Sequence, residues 1–507
     1  MYMTQCLQRT LQQNPHQLAT VFGDRRQTYR QFGERVARLA GALQQLGMQA
    51  GDRVGMLALN SDRYLEYIMG VWWGGGVLNP INTRWSVPEI VFSLDDCATG
   101  ILIVDEHFAA LAENIRKSAR HAPRFIYAGE GQVPVGMLGF EQLLAQAAPV
   151  EDAGRGGEDL ACIMYTGGTT GFPKGVMQSH LNLWSACMPR MVDMPPIRDG
   201  RLLHVAPLFH VAGMARALIQ LLAGESHVLV ASFDAGEVLQ VIEREQITET
   251  LLVPTMILAL LAHPDFARRD LSSLRRLTYG ASPSAGEMVE HVLARLPDIE
   301  LSHSYGLTEA CPVVSSNLPW NHTPDARKRG LSRSVGRGGL GVYVKIVDPQ
   351  GREVARGTVG EIIVRGPNIM QGYWNRPEET AKALRDGWLY TGDAAYMDEQ
   401  GYLFIVDRLK DMIVSGGENV YSAEVENVLA RHPAVALCAV IGIPHEQWGE
   451  AVHAVVVRKP DAQVDEEQLR RYCREFIAPY KCPKTVEFRA ELPLSAAGKV
   501  LKRELRK

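Results

Sequence analysis

Short apolar runs alternate with stretches of helical period through most of the chain. Arg53–Leu59 (RVGMLAL) and Gly100–Val104 are almost continuously apolar and short, as strands buried on both faces would be. Pro88–Leu94 and Ala235–Arg244 predict helices, the second opening behind Asp234 as its N-cap. Leu251–Thr255 (LLVPT) ends a strand at its proline, and Met256–Ala262 resumes a helix. This rhythm predicts α/β layers built on largely parallel sheets. Strand-rich sequence follows, Val342–Val347 and Gly360–Arg365, broken by an Asp348-Pro349-Gln350-Gly351 turn. Gly401–Val406 predicts a further strand. Beyond Asp407–Asp411 come a helix at Ser422–Arg431, a strand at Val435–Ile441, a helix at Glu466–Phe476 and a basic tail. The expected fold class is therefore α/β. A large N-terminal body of layered subdomains with a β-rich part, residues 1–409, precedes a small α+β unit, residues 410–507.

Bulk properties narrow the classes of function. At 507 residues the chain exceeds what one core supports. Its 46% hydrophobic and 22% charged content is that of a soluble globular enzyme. A net charge of −4 gives no reason to expect a nucleic-acid partner. The longest apolar stretch, Leu251–Ala262, is interrupted by Pro254 and too short to span a membrane. The N-terminus lacks a signal-peptide pattern, and the eight cysteines contain no Cys-x-x-Cys pair. A cytoplasmic, reducing location is expected. Gly336–Gly341 (GRGGLG) fits a dinucleotide fingerprint, but a β-rich run follows it where a helix is required, so a turn between strands is expected.

The segment most suited to chemistry is Tyr165–Gly175 (YTGGTTGFPKG), directly after the apolar Leu160–Met164. Its glycines allow successive backbone N–H groups to converge on one anion, its threonines add hydroxyl donors, and Lys174 adds a mobile positive charge. That equipment suits a polyphosphate. It is not a Walker A loop, which requires Gly-Lys followed by Ser or Thr. The segment resembles the phosphate loop of the adenylate-forming superfamily, which includes acyl-CoA synthetases. Gly167 stands where that family usually has Ser, removing one hydroxyl but keeping the backbone N–H.

The resemblance covers essentially the whole chain in the family's motif order. It implies ATP-phosphate contacts from Thr166, Gly167, Gly168, Thr169, Thr170, Gly171 and Lys174. Glu309, in Tyr305-Gly306-Leu307-Thr308-Glu309, matches the family's magnesium glutamate, with Thr166 beside it. A lone carboxylate is what Mg2+ usually takes when phosphate and water complete its octahedron, although a Thr-Glu pair alone is more often a helix start. Adenosine is expected against Gly280, Ala281, Ser282, Ser304, Tyr305 and Thr308. Asp393 can accept from both ribose hydroxyls, with Arg408 as a second ribose contact. Lys499, in Pro493-Leu-Ser-Ala-Ala-Gly498-Lys499, matches the catalytic lysine that neutralises the attacking carboxylate and the α-phosphate. By local composition alone it is one more solvated lysine of the tail. Lys410 matches a hinge about which the C-terminal lid turns, and Gly416 and Gly417 would line a CoA tunnel. His210, in Pro207-Leu-Phe209-His210, matches a ring that shifts at the acyl site, although a lone histidine on an apolar segment is commonly a core residue.

The resemblance also places the acyl pocket around Phe209, Gly213, Met214, Val253, Gly306 and Val313, with the small size of Gly213, Ala215 and Gly306 expected to leave room for length. Its apolar character favours a hydrophobic acid, with Arg216 either turned to solvent or reading a polar substituent. The implied activity is ATP- and Mg2+-dependent formation of an acyl-AMP, then transfer to CoA. The foremost substrate is a medium- or long-chain fatty acid, and the alternatives are an aryl acid or the loading of a separate acyl carrier protein. Peripheral membrane contact through the basic tail and a homodimer are left open.

Overall fold

In the computed structural model, residues 1–166, 173–280, 286–415, 418–495 and 500–506 are described. Among them the strands form four sheets, and the alternating rhythm of the sequence becomes two large, mainly parallel ones. In the first, Glu300–Gly306, Arg276–Gly280, Glu249–Leu252, Arg201–His204, Ser226–Leu229 and Leu18–Phe22 lie side by side and parallel. Val313–Asn317 returns antiparallel along Glu300–Gly306. In the second, Leu160–Thr166, Val77–Pro80, Arg53–Leu57, Ile101–Val104 and Arg124–Tyr127 are parallel, and Lys174–Ser179 folds back antiparallel on Leu160–Thr166.

Helices cover these sheets where the pattern predicts. The helix foreseen at Pro88–Leu94 spans Val87–Asp96, and Ala235–Glu245 opens on Asp234, whose carboxylate accepts from the Glu237 N–H at 2.8 Å. The strand Glu249–Leu252 ends before Val253, and the helix Pro254–Ala262 starts on the proline, whose missing N–H costs nothing at that position. A third, antiparallel sheet contains Tyr343–Val347, Gly360–Arg365, Trp388–Met397 and Leu403–Arg408. The Gly336–Gly341 run indeed leads into strands and no helix. A Cβ on Gly336 would lie 1.8 Å from the Ser316 carbonyl oxygen, so close backbone approach explains that glycine.

The fourth sheet belongs to the C-terminal part: Glu418–Val420, Ile413–Ser415, Gly449–Arg458 and Val435–His445, with Thr485–Phe488 parallel to Gly449–Arg458. Its apolar cluster, which includes Ile413, Val425, Val440, Val452, Leu469 and Cys473, takes every member from beyond residue 412. The short turn Leu409–Asp411 leads into it. Seven of the eight cysteines are buried and Cys438 is partly so; burial pushes the Cys6 thiol up to about 12, which keeps it protonated and unreactive. Among the described residues no helix is long and apolar enough to cross a membrane.

Candidate active site

Three expected adenosine residues meet at the C-terminal edge of the first sheet. Gly280 lies opposite Ser304 in register, and a Cβ there would come within 2.7 Å of the Ser304 carbonyl oxygen. Glycine is therefore required for the two strands to approach. The next residue, Tyr305, donates its hydroxyl to Asp393 Oδ2 at 2.7 Å, across from one sheet to another. Burial, reinforced by the Asp393 carboxylate, pushes the Tyr305 phenol far above its ordinary range, so it stays a donor. Asp393 and Arg408 are partners in the antiparallel register of Trp388–Met397 with Leu403–Arg408, and Arg408 Nε lies 3.4 Å from Asp393 Oδ1. Asp393 is only 7% exposed and sits just after Gly392, whose φ of +73° favours glycine. The buried carboxylate is held by the Tyr305 hydrogen bond on one oxygen, with the Arg408 charge 3.4 Å from the other.

A second group surrounds Glu309, in the short turn Thr308–Ala310. Tyr373 donates its hydroxyl to Glu309 Oε1 at 2.8 Å, and Lys174 Nζ stands 5.2 Å from the centre of the Tyr373 ring. Strand pairing fixes these positions: Tyr373 is opposite Val176, and Thr166 is opposite Lys174. Gln178 donates to the Thr308 carbonyl at 2.8 Å and ties the glutamate turn to the same hairpin. Glu309 Oε2 accepts no hydrogen bond among the described residues. No group of three His, Cys, Asp or Glu able to hold a metal occurs among them either. A single, half-satisfied carboxylate fits Mg2+, which leaves most positions to phosphate and water, better than an all-protein cage.

Tyr373 was not among the expected site residues. It lies in Gln371-Gly-Tyr-Trp374, where no local spacing marks it, and only the pairing of Gly372–Tyr373 with Lys174–Ser179 delivers it to Glu309.

The acyl candidates separate from this corner. His210 caps the helix Val211–Ala223, its Nδ1 accepting from the Ala212 N–H at 3.3 Å. Phe209, Met214, Val253 and Val313 are buried. The expectation that Gly213 and Gly306 leave open room is corrected. A Cβ on Gly213 would sit 2.2 Å from the Pro207 carbonyl oxygen, and one on Gly306 would sit 1.5 Å from that of Pro312. Backbone occupies the space that their small size provides. Arg216 does not face solvent: it is 6% exposed and paired with Glu249.

At the start of the C-terminal part, Lys410 is exposed, and partial desolvation followed by repulsion from Arg408 lowers its ammonium below the ordinary lysine range. Arg506 pairs with Asp411 at 3.2 Å. Asp407 Oδ2 accepts from the Ser422 hydroxyl at 2.6 Å. Arg84 donates to the carbonyls of Leu494 and Ser495 at 3.4 and 3.0 Å, just before the expected lysine motif. Gly167, Gly168, Thr169, Thr170, Gly171, Ala281, Ser282, Gly416, Gly417 and Lys499 lie outside the described residues.

The sequence profile described as AMP-binding enzyme matches residues 7–374, and that of the AMP-binding enzyme C-terminal domain matches residues 424–499. A feruloyl-CoA synthase of an Amycolatopsis species is 41% identical over 98% of this chain and 97% of its own. A long-chain-fatty-acid–CoA ligase of Mycobacterium tuberculosis is 36% identical over 95% of this chain and 93% of its own. Among solved structures, the anthranilate CoA ligase in complex with anthranoyl-AMP superposes with a TM-score of 0.91 at 30% identity, covering 100% of this chain and 96% of that one. With both sequence profiles, the full-length relatives and the superposed structure in agreement, the chain belongs to the AMP-binding, adenylate-forming family of enzymes.

Proposed function

We propose that the protein is an ATP-dependent acid–CoA ligase acting on a hydrophobic carboxylic acid. The observation that carries the reading is Asp393, buried and fixed between Tyr305 and Arg408 beside the Gly280–Ser304 strand pair. A carboxylate held this way offers acceptors to two neighbouring hydroxyls of a ribose, and the Tyr305 ring gives the base a flat wall. Lys174 and the loop that follows Thr166 would take the phosphates. Mg2+ at Glu309 would offset phosphate charge, and Tyr373 orients the carboxylate that holds it.

In the first step a carboxylate oxygen of the acid attacks the α-phosphorus, and the bond to the leaving pyrophosphate breaks. Lys499 would stabilise the charge gathered on the attacking and α-phosphate oxygens. In the second step the sulfur of CoA attacks the acyl carbon and AMP leaves with its bonding electrons. AMP is a good leaving group, so His210 needs no general-base role; as a helix cap at the acyl site it would gate access. Residues 410–507 would act as a lid turning about Lys410, presenting Lys499 for the first step and Gly416 and Gly417 to the pantetheine arm for the second. The absence of side chains at those two glycines suits a narrow passage.

The acid is aryl or fatty. Similarity to the feruloyl-CoA synthase supports the first and similarity to the long-chain-fatty-acid ligase the second. Pyrophosphate release across a panel of both, with and without CoA, tests the reading. Acid-dependent release with a CoA thioester as final product is expected. Release without thioester, but with transfer to a carrier protein, would shift the reading to carrier loading. No release with any acid would overturn it.

A further inference from the structure

If the C-terminal part turns about Lys410, residues on either side of that point must part, so the bonds that cross it decide where the part rests. Asp407 lies in the body's strand Leu403–Arg408, and Ser422 opens the helix Ser422–Leu429 beyond the turn Leu409–Asp411. The Ser422 hydroxyl donates to Asp407 Oδ2 at 2.6 Å, and the Ala423 N–H reaches the same oxygen at 3.3 Å. Ser422 is fully buried and Asp407 is 7% exposed. The contacts of Arg84 with Leu494 and Ser495 are exposed; this one is not.

Lys502 fixes the direction of that bond. A lysine only donates, so Lys502 Nζ, 2.5 Å from Ser422 Oγ, occupies a lone pair of that oxygen and leaves its single proton to Asp407. Lys502 is held in turn by Glu426 Oε1 at 2.7 Å, and the same oxygen accepts from the Val440 N–H at 2.7 Å. Burial raises the Glu426 carboxyl above its ordinary range, and the Lys502 charge works against that shift. Ser422, Glu426 and Lys502 all belong to the C-terminal part and would move together. Turning would exchange the charge-assisted bond to Asp407 for water and leave the Lys502–Glu426 pair intact. Lys502 also follows Lys499 by three residues. In that stretch Val500 bridges to Leu494, and the Leu501 N–H donates to the Pro493 carbonyl at 2.8 Å. Arg84 of the body holds the Leu494 and Ser495 carbonyls. Two ties therefore engage in one orientation, one beside the hinge and one beside the segment that carries Lys499.

We propose that Ser422 is a positioning residue for the first half-reaction: aimed by Lys502, its hydroxyl clips the C-terminal part to Asp407 in the orientation that brings the Lys499 segment onto the body, and the clip opens before CoA is used. The proposal rests on the ligase reading and assigns a residue to the choice between its two steps. Neither Ser422 nor Lys502 touches substrate; both act through the placement of Lys499. A bond to a buried carboxylate is strong enough to shift a two-state equilibrium, and a single such bond is weak enough to reopen in each cycle.

The test measures the two half-reactions separately on the full chain, with the acid that gives most pyrophosphate release and its synthetic acyl-AMP. In Ser422→Ala the ratio of pyrophosphate release to thioester formation from supplied acyl-AMP should fall by roughly ten- to a hundredfold, the range for a hydrogen bond to a charged group. Asp407→Asn keeps an acceptor oxygen and loses its charge, so it should lower the ratio by less; it decides alone if Ser422→Ala does not fold. Trypsin cleavage at Lys410 without substrates should quicken in the same order, Ser422→Ala ahead of Asp407→Asn and both ahead of the unmodified chain. An unchanged ratio, or equal loss of both half-reactions, overturns the proposal, as does unchanged cleavage at Lys410. No pyrophosphate release by the unmodified chain with any acid would instead defeat the ligase reading, while the cleavage rates still report whether the clip holds the C-terminal part.

Discussion

The nucleotide corner and the C-terminal part are attached to the molecule in different ways. In the corner, position is set by strand register: Gly280 against Ser304, Asp393 against Arg408, Tyr373 against Val176. The side chains that meet there, Tyr305 with Asp393 and Tyr373 with Glu309, are partly or wholly buried. The C-terminal part has its own apolar cluster; among the described residues it is tied to the body by the exposed contacts of Arg84 with the Leu494 and Ser495 carbonyls and by the buried hydrogen bond from Ser422 to Asp407. Exposed polar contacts of this kind are typically worth about 1 kcal/mol or less, so they exchange easily, whereas shifting a strand register would disrupt a whole sheet. Under the proposed function, this contrast would let grip on the nucleotide and delivery of the reacting cation be tuned separately.

The sharpest way to break the contrast is Lys499→Ala. Acyl-AMP formation, followed as pyrophosphate release, should fall by about 10²–10³ or more, with thioester formation from supplied acyl-AMP largely intact. Equal loss of both steps would mean that delivery and grip are one function.

Acid should act on the body. Burial holds His303 and His322 down to about 4, so the unfolded chain binds more protons than the folded one between pH 4 and the ordinary histidine value near 6.5. Their contribution is whole above that window and is lost as pH falls through it, at about 1.4 kcal/mol per histidine per pH unit. Both flank Tyr279, His303 by stacking and His322 by a 2.9 Å hydrogen bond, just before Gly280. Thermal unfolding of the body should therefore drop by about 3 kcal/mol per pH unit from these two alone. An acid-insensitive melting temperature between pH 6.5 and 5 would contradict this.

Asp393→Ala removes the acceptor of the Tyr305 hydroxyl and the negative charge beside Arg408. It should lower kcat/KM for ATP about thirtyfold, roughly 2 kcal/mol, mainly through KM. Tyr373→Phe deletes only the hydrogen bond to Glu309 and should cost about 1 kcal/mol in the adenylation step, with a raised Mg2+ requirement measured by titration. An unchanged Mg2+ dependence would remove Tyr373 from the metal's support. Arg84→Ala should have the smallest effect, a two- to fivefold slowing of adenylation alone. Loss of thioester formation from supplied acyl-AMP would show that Arg84 supports more than one lid position.

The layered body was legible because period and punctuation agreed at Asp234, Pro254 and the Asp348 turn, where local chemistry alone sets the element ends. The corner residues Tyr305, Glu309 and Asp393 were legible through motif resemblance. Tyr373 was not, because it reaches Glu309 through pairing with a strand almost 200 positions earlier. The misjudged glycines have the same origin. Gly213 and Gly306 look like open space in a sequence, and only the fold shows carbonyl oxygens already occupying it. Arg216 likewise gave no hint of its partner, since Glu249 reaches it only when the helix packs over the sheet.

A structure with ATP bound would locate the nucleotide outright. The ribose hydroxyls should lie within hydrogen-bond distance of Asp393, adenine along Tyr305, and the triphosphate between Thr166 and Lys174. A nucleotide seated away from Asp393 and Tyr305 would contradict this arrangement.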